Sequence, residues 1–207
     1  YDSSGMGNNA KFFGDAEYDA ADRSFVFDGG TWPTGTTDYL LRDETAAQDG
    51  CRGFPTGDAI YSMSAWVYVN GTQAANFASI VTFGSSWAAS SLASMYVEGG
   101  TKLGADIGSN TVKTTNAVLS DKTWHHVAIV KKGTGQISTS MFDLYVDGVL
   151  IADKSVAGTG TQNLGTISGF SVGTAFNGSN DPLKGRVSNP KVWNIALTPD
   201  DIAKDYA

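Results

Sequence analysis

KTWHHVAIV, residues Lys122 to Val130, followed by FDLYVDGVLIA, residues Phe142 to Ala152, decides how the whole chain reads. Trp124 to Val130 is apolar on both faces apart from its two histidines, the pattern of a central strand covered on both sides. Asp147-Gly148 then sits between two apolar, β-branched runs, Phe142 to Val146 and Val149 to Ala152, and an Asp-Gly pair in that setting is a strong short-range hairpin signal. A buried strand followed by a tight hairpin implies an antiparallel sheet, so the rest of the chain is read for further strands.

They recur at short intervals in both directions. SFVFD (Ser24 to Asp28) alternates before a Gly-Gly turn, and DYLL (Asp38 to Leu41) follows a Pro- and Gly-rich loop. Ala59 to Val69 is long, aromatic and β-branched, as a strand inside a sandwich should be. Ser79 to Phe83, Leu92 to Glu98, Lys102 to Ile107 and Phe170 to Val172 continue the series. Leu183 to Trp193 is the last strand, and Pro190 within it removes a ladder donor, which requires an edge or a bulge. Only the final ten residues change period: Thr198-Pro199-Asp200-Asp201 supplies an N-cap, a first-turn proline and acidic residues at the positive end of a helix dipole, so Pro199 to Tyr206 is a closing helix. With no linker, repeat or second core, residues 1–207 read as a single all-β sandwich domain, a size that such folds commonly reach.

Composition narrows the functional classes. The chain has 207 residues, 25 of them Gly, with 41% hydrophobic and 17% charged residues, so it is globular and loop-rich. A net charge of -7 argues against a nucleic-acid partner, which would need clustered Lys and Arg. No run of 18 apolar residues exists, so no membrane insertion is expected. Cys51 is the one cysteine and reads as a small buried hydrophobe. The start at Tyr1 rather than Met suggests a processed product or a fragment of a larger protein.

Four segments in order, DSSGMGNNA (Asp2 to Ala10), SFVFDG (Ser24 to Gly29), the KTWHHVAIV and FDLYVDGVLIA pair, and DPLKGRVSNPKVWNIALTPDDI (Asp181 to Ile202), resemble the laminin-G-like branch of the concanavalin A-like lectin/glucanase superfamily, which is also pentraxin-like. The resemblance implies a jelly-roll sandwich of two antiparallel sheets with a short C-terminal helix. It also implies a carbohydrate-binding or protein-adhesion module, often with calcium. By that resemblance, ligands gather at the turn after the second strand (Asp28) and at the last strand. There relatives commonly show Asp-Glu and this chain has Ser188-Asn189, leaving Asn189, Asn180 and Asp181 as further oxygen donors.

Hydrolysis is disfavoured by the residues themselves. A glycosidase needs two carboxyl groups flanking the scissile bond. Glu17, Glu44 and Glu98 are the only glutamates, so the E-x-D-x-E strand motif of the superfamily's glucanases is excluded. Adjacent strand residues face opposite ways, so His125 and His126 do not form a zinc pair. His126 is expected on the inner face with Trp124, with Trp66 and Trp193 also in the core. G-x-G-x-x-A at Gly5 to Ala10 lacks the βαβ context of a dinucleotide fingerprint.

Sugar binding needs exposed aromatic faces with Asp, Asn and amide groups around them. Trp32, Trp87, Tyr96 and Phe176 lie in or beside loop-like stretches and are the expected carbohydrate-binding residues. Asp28, Asn180, Asp181 and Asn189 are the expected calcium ligands. Asn70-Gly71-Thr72 and Asn177-Gly178-Ser179 are glycosylation sequons. The expectation is therefore a non-catalytic, lectin-like module for a glycan or surface polysaccharide, extracellular or on a cell or virion surface. A structural or protein-adhesion module with protein partners is the first alternative and a polysaccharide-acting enzyme the second.

Overall fold

The computed structural model describes residues 2–30, 37–42, 51–73, 75–84, 90–165, 167, 169–175 and 181–207. In chain order the strands are β1 (Ala10–Phe13), β2 (Glu17–Asp19), β3 (Ser24–Asp28), β4 (Tyr39–Arg42), β5 (Tyr61–Val69), β6 (Phe77–Gly84), β7 (Leu92–Glu98) and β8 (Lys102–Asp106). There follow β9 (Thr111–Thr114), β10 (Trp124–Lys131), β11 (Phe142–Val146), β12 (Val149–Leu150), β13 (Lys154–Ala157), β14 (Gly169–Val172) and β15 (Lys184–Trp193), and the chain closes with helix α1 (Pro199–Tyr206).

Alternation along these strands builds two antiparallel sheets. The larger runs β1-β4-β14-β6-β7-β8-β9-β13 and the smaller β12-β11-β10-β5-β15-β3-β2. Tyr61, Met63, Ala65, Val67 and Val69 on β5 face Ile80, Val81, Phe83, Met95 and Leu103 of the other sheet, all buried in one core. β10 lies between β5 and β11, as its two-sided apolar pattern requires. Asp147-Gly148 turns the β11–β12 hairpin with positive φ at both residues, the conformation of a type I′ turn. Pro190 falls where the register between β15 and β5 breaks, between Ser188 and Lys191, so the bulge accommodates the missing donor.

Four strands were not expected from the sequence: β1, β2, β9 and β13. Each has three or four residues, and β13 (KSVA) and β9 (TVKT) carry too few apolar side chains to show a period. Their pairing comes from the neighbouring ladder rather than from local preference.

The outer face of the smaller sheet is covered by α1. Ile202, the buried residue of the helix, packs on Ala128, Val130 and Tyr145. Thr198 caps the helix through a reciprocal box with Asp201. This placement corrects the expected position of His126. It has the parity of Ala128 and Val130, so it lies beneath the helix rather than in the inter-sheet core. Trp66 shares that outer face, its ring stacked on Tyr206 at 5.6 Å, while Trp124 and Trp193 are half-buried.

Candidate functional site

A row of polar side chains crosses the outer face of the larger sheet. Register aligns Ser171 of β14 with Thr82 of β6, Thr82 with Ser94 of β7, Ser94 with Asp106 of β8, and Asp106 with Thr111 of β9. Thr82 and Ser94 hydroxyls are 2.8 Å apart, and Ser79 and Ser94 hydroxyls 3.2 Å apart. Ser171 Oγ donates to the carbonyl of Thr174 at 2.9 Å. These hydroxyls are buried and mutually satisfied, so they form a fixed polar floor.

Asp106 within that row and Asp181 beside it supply two carboxyl groups. Asp106 accepts a hydrogen bond from the Gly108 amide at 2.7 Å. Asp181 is brought across the sheet by its backbone: its carbonyl accepts from the Ser79 amide at 2.9 Å. Burial raises the Asp106 pKa to about 6, the Gly108 amide opposing and the neighbouring Asp181 charge adding to the rise. Burial alone raises Asp181 to about 6. Neither residue is fully covered, and no donor meets the Asp181 carboxyl among the described residues. The arrangement offers several acceptor oxygens at a partly open surface, where the Asp181 charge adds to the rise at Asp106.

A second carboxylate cluster lies at the ends of β3 and β4. Asp15, Asp28 and Asp38 bring ligand oxygens within 4.8 Å of one another. The Asp15 and Asp28 amides each donate to Asp38 at 2.9 Å, and Gly30 donates to Asp28 at 2.8 Å. Burial raises Asp38 to about 6, with its neighbours' charges contributing.

The expected calcium set therefore does not assemble as one site. Asp28 joins Asp15 and Asp38, whereas the charge of Asp181 acts on Asp106. Asn189 sits exposed in the β15 bulge with φ +51°, several residues along the strand from Lys184, the partner of Asp28. Asn180 lies outside the described residues. Of the expected sugar-binding aromatics, Trp32, Trp87 and Phe176 also lie outside them.

Tyr96 is a correction. It is in β7, 1% exposed, its ring lying over Gly104 of β8 so closely that a Cβ there would meet Tyr96 Cζ at 2.3 Å. Phe77 meets its ring edge-on at 4.9 Å. Tyr96 thus covers the sheet as part of the floor and presents no face to a sugar ring. Asp106 is the residue that sequence reading missed, because it looked like the polar member of an ordinary alternating strand.

Ser64, His126 and Asp205 also meet, beneath α1, but not in the order that catalysis needs. Ser64 Oγ donates to Asp205 Oδ2 at 2.5 Å, and His126 Nε2 is 3.1 Å from the same oxygen. Lys191 binds the other carboxylate oxygen. With the carboxylate at the centre and serine not bonded to histidine, the group fastens the helix and activates no nucleophile. Burial holds the His126 pKa below its usual value, against the pull of Asp205.

Comparison with known proteins agrees with this architecture. A laminin-G sequence family described as the concanavalin A-like lectin/glucanases superfamily matches residues 19–203. No curated protein sequence matches the chain. Domain 4 of AbnA, a GH43 extracellular arabinanase from Geobacillus stearothermophilus, was solved with arabinotriose. It is 17% identical with a TM-score of 0.66, over 100% of this chain and 91% of that one. A heptameric SAP-like pentraxin from Limulus polyphemus is 18% identical with a TM-score of 0.57, over 88% and 80%. The Ruminococcus gnavus IT-sialidase CBM40, bound to alpha2,3 sialyllactose, is 12% identical with a TM-score of 0.55, over 72% and 83%. The chain spans about half the length of the first structures it matches, one of them a receptor binding domain covered over 47% of its chain. At these identities the solved structures speak for the fold, and the sequence family covers most of the chain. Two antiparallel sheets, the closing helix and the match over residues 19–203 together make this chain a member of the concanavalin A-like lectin/glucanases superfamily, in its laminin-G-like branch.

Proposed function

We infer that the chain is a non-catalytic carbohydrate-binding module whose glycan rests on the outer face of the larger sheet, over Asp106 and Asp181. The observation that carries this reading is the carboxyl pair itself: two partly open acceptor groups on a rigid hydroxyl floor, with the Asp181 carboxyl unmet by any described donor. Sugar hydroxyls supply the missing donors. Neighbours solved with arabinotriose and sialyllactose support a glycan as the partner. Trp87 and Phe176 remain proposed stacking residues, since they lie in the segments that join β6 to β7 and β14 to Asp181 in sequence; Trp32 is the third. Glycan-array binding is expected for the intact chain, lost in Asp106→Asn with Asp181→Asn and weakened in Trp87→Ala or Phe176→Ala. Unchanged array binding by the double variant would refute this placement.

Calcium assistance belongs to the same proposal. Hard cations take six to eight oxygens, and both carboxyl groupings supply oxygen donors only. Asp15, Asp28 and Asp38 would hold calcium at the sheet edge, and Asp106 with Asp181 would hold it within the glycan site. An extracellular or cell- or virion-surface setting fits the exposed sequon residue Asn70, and no helix among the described residues is long and apolar enough to cross a membrane.

The same pair bears on a second reading, a polysaccharide-acting enzyme. General acid and base need environments that drive their pKa values apart. Here both stand at about 6, so the pair suits shared acceptance better than proton relay. Glycan turnover abolished by either single Asp→Asn change would favour the enzyme.

A further inference from the structure

We propose that Asn70 carries an N-linked glycan whose first N-acetylhexosamine folds back onto the aromatic rings of Tyr68 and Trp124 instead of projecting into solvent. Asn70-Gly71-Thr72 has the acceptor spacing, a side-chain amide followed two residues on by a hydroxyl with no proline between them. The residue two before that amide is Tyr68. Asn70 continues the ladder beyond the end of β5, its backbone amide donating to the Lys184 carbonyl at 3.0 Å. Residues two apart on a strand share a face about 7 Å from one another, so Asn70 leaves β5 on the side that carries Tyr68.

The turn holds its backbone and leaves the acceptor open. Gly71 has φ +71°, and its amide donates to the Asp121 carboxylate at 2.5 Å. The Lys122 amide donates to the Val69 carbonyl at 2.8 Å, and the Gln73 side chain donates to the Gly71 carbonyl at 3.1 Å. Asn70 and Thr72 are exposed, and among the described residues no hydrogen bond engages either side chain. A fixed backbone with a free side-chain amide presents an attached sugar from one place.

The surface beside it suits a sugar ring. Tyr68 and Trp124 are register partners on β5 and β10, both half-buried, with centroids 5.6 Å apart and planes at 55°. Helix α1 stacks Tyr206 on Trp66, two residues back along β5, whereas Tyr68 meets no described ring except Trp124. One side of a hexose ring is lined with C–H groups, which the electron-rich face of an aromatic ring attracts. Transfer forms a bond from the sugar's anomeric carbon to Asn70 Nδ2, which gives up one proton. It breaks the anomeric carbon–oxygen bond of a lipid-linked diphosphate donor, and the lipid diphosphate leaves.

The test secretes the intact chain from a eukaryotic host, with Asn177→Gln throughout so that every readout reports Asn70. Peptide mass spectrometry is expected to find a glycan on Asn70 and none in Thr72→Ala. Trimming that glycan to its first sugar should keep the Tm roughly 2–4 °C above that of Asn70→Gln, the shift that one aromatic contact gives in a chain of this length. In Tyr68→Val the trimmed and unglycosylated chains should melt together. In the trimmed parent chain, aromatic ring currents should move protons of the sugar upfield from their positions in free glycosyl-asparagine, a readout that needs no variant to fold. The proposal is overturned if the secreted chain carries no glycan on Asn70, or if the sugar protons stay at their free positions. It is equally overturned if the trimmed sugar leaves the Tm unchanged, or if the rise persists in Tyr68→Val. None of these readouts involves Asp106 or Asp181, so this proposal and the glycan-binding reading can each fail alone.

Discussion

Lys131 shows how much one residue fixes. Its side chain is 0% exposed, and Nζ donates to the Asp58 carboxylate at 2.8 Å and to the carbonyls of Asp58, Ala59 and Gly133 at 2.9–3.1 Å. A buried ammonium with four acceptors ties the entry of β5 to the exit of β10. Lys131→Met leaves Asp58 without its cation and is expected to cost about 3 kcal/mol in denaturant unfolding. Asp106 works in the opposite direction. Its folded pKa of about 6 lies above the ordinary aspartate value of 3.8, so the native state binds the proton more tightly and ionisation destabilises the fold. Its contribution is fully present below pH 3.8 and lost as the pH rises through 6. Asp106→Asn should therefore raise the Tm at pH 7.5, corresponding to about 1–2 kcal/mol, with the gain vanishing near pH 4. A carboxyl group held at such a cost is the kind of acceptor that the proposed glycan site would use.

At the scale of elements, the C-terminal helix is held by a small apolar contact and one polar cluster. Asp205 satisfies Ser64, His126 and Lys191 together, and burial, which alone would raise its pKa, is outweighed by the Lys191 and Ser64 hydrogen bonds. Asp205→Ala strands three partners and is expected to cost about 3 kcal/mol, with amide exchange rising first in Pro199–Tyr206. Because the His126 pKa is depressed on folding, its contribution is present above the unfolded value near 6.5 and lost as the pH falls below it. Helix docking, read from Trp66 fluorescence, should weaken below pH 6.5 in the parent chain and lose that dependence in His126→Asn.

The elements also show what could be read from sequence. β3, β7, β11 and α1 match their expected bounds, because apolar alternation or capping residues define their ends. β9 and β13 were illegible, since Thr, Lys and Ser carry no period. Asp181 was among the expected site residues, but its partner was not. The signal for Asp106 lay across strands, in Thr82, Ser94 and Asp106 holding outward positions where exposed strands usually carry long charged side chains. Such a row emerges only once register is known. For Tyr96, the facing Gly104 was the clue that the ring folds down on the sheet.

For the molecule as a whole, the calcium proposal predicts a stability that responds to divalent cations, through the carboxylates gathered at two places in an acidic chain. Millimolar calcium is expected to raise the Tm, by an amount equivalent to about 2.7 kcal/mol at a hundredfold excess over Kd. Loss of the shift in Asp38→Asn would assign it to the cluster with Asp15 and Asp28, and loss in Asp106→Asn to the proposed glycan face. No shift in the parent chain would remove calcium from the proposal.

The order of the smaller sheet carries a kinetic consequence. β5 pairs with β15 so that Val69 meets Gly185, and β3 pairs with β15 so that Asp28 meets Lys184. During synthesis, then, two early strands wait with one open edge each until β15 emerges from the ribosome. Such non-local closure makes folding slow, of order milliseconds to seconds, and leaves nascent chains prone to mispairing. A chain stalled before Lys184 should be protease-sensitive throughout β3 and β5, and release of β15 and α1 should convert it to a resistant form in one cooperative step.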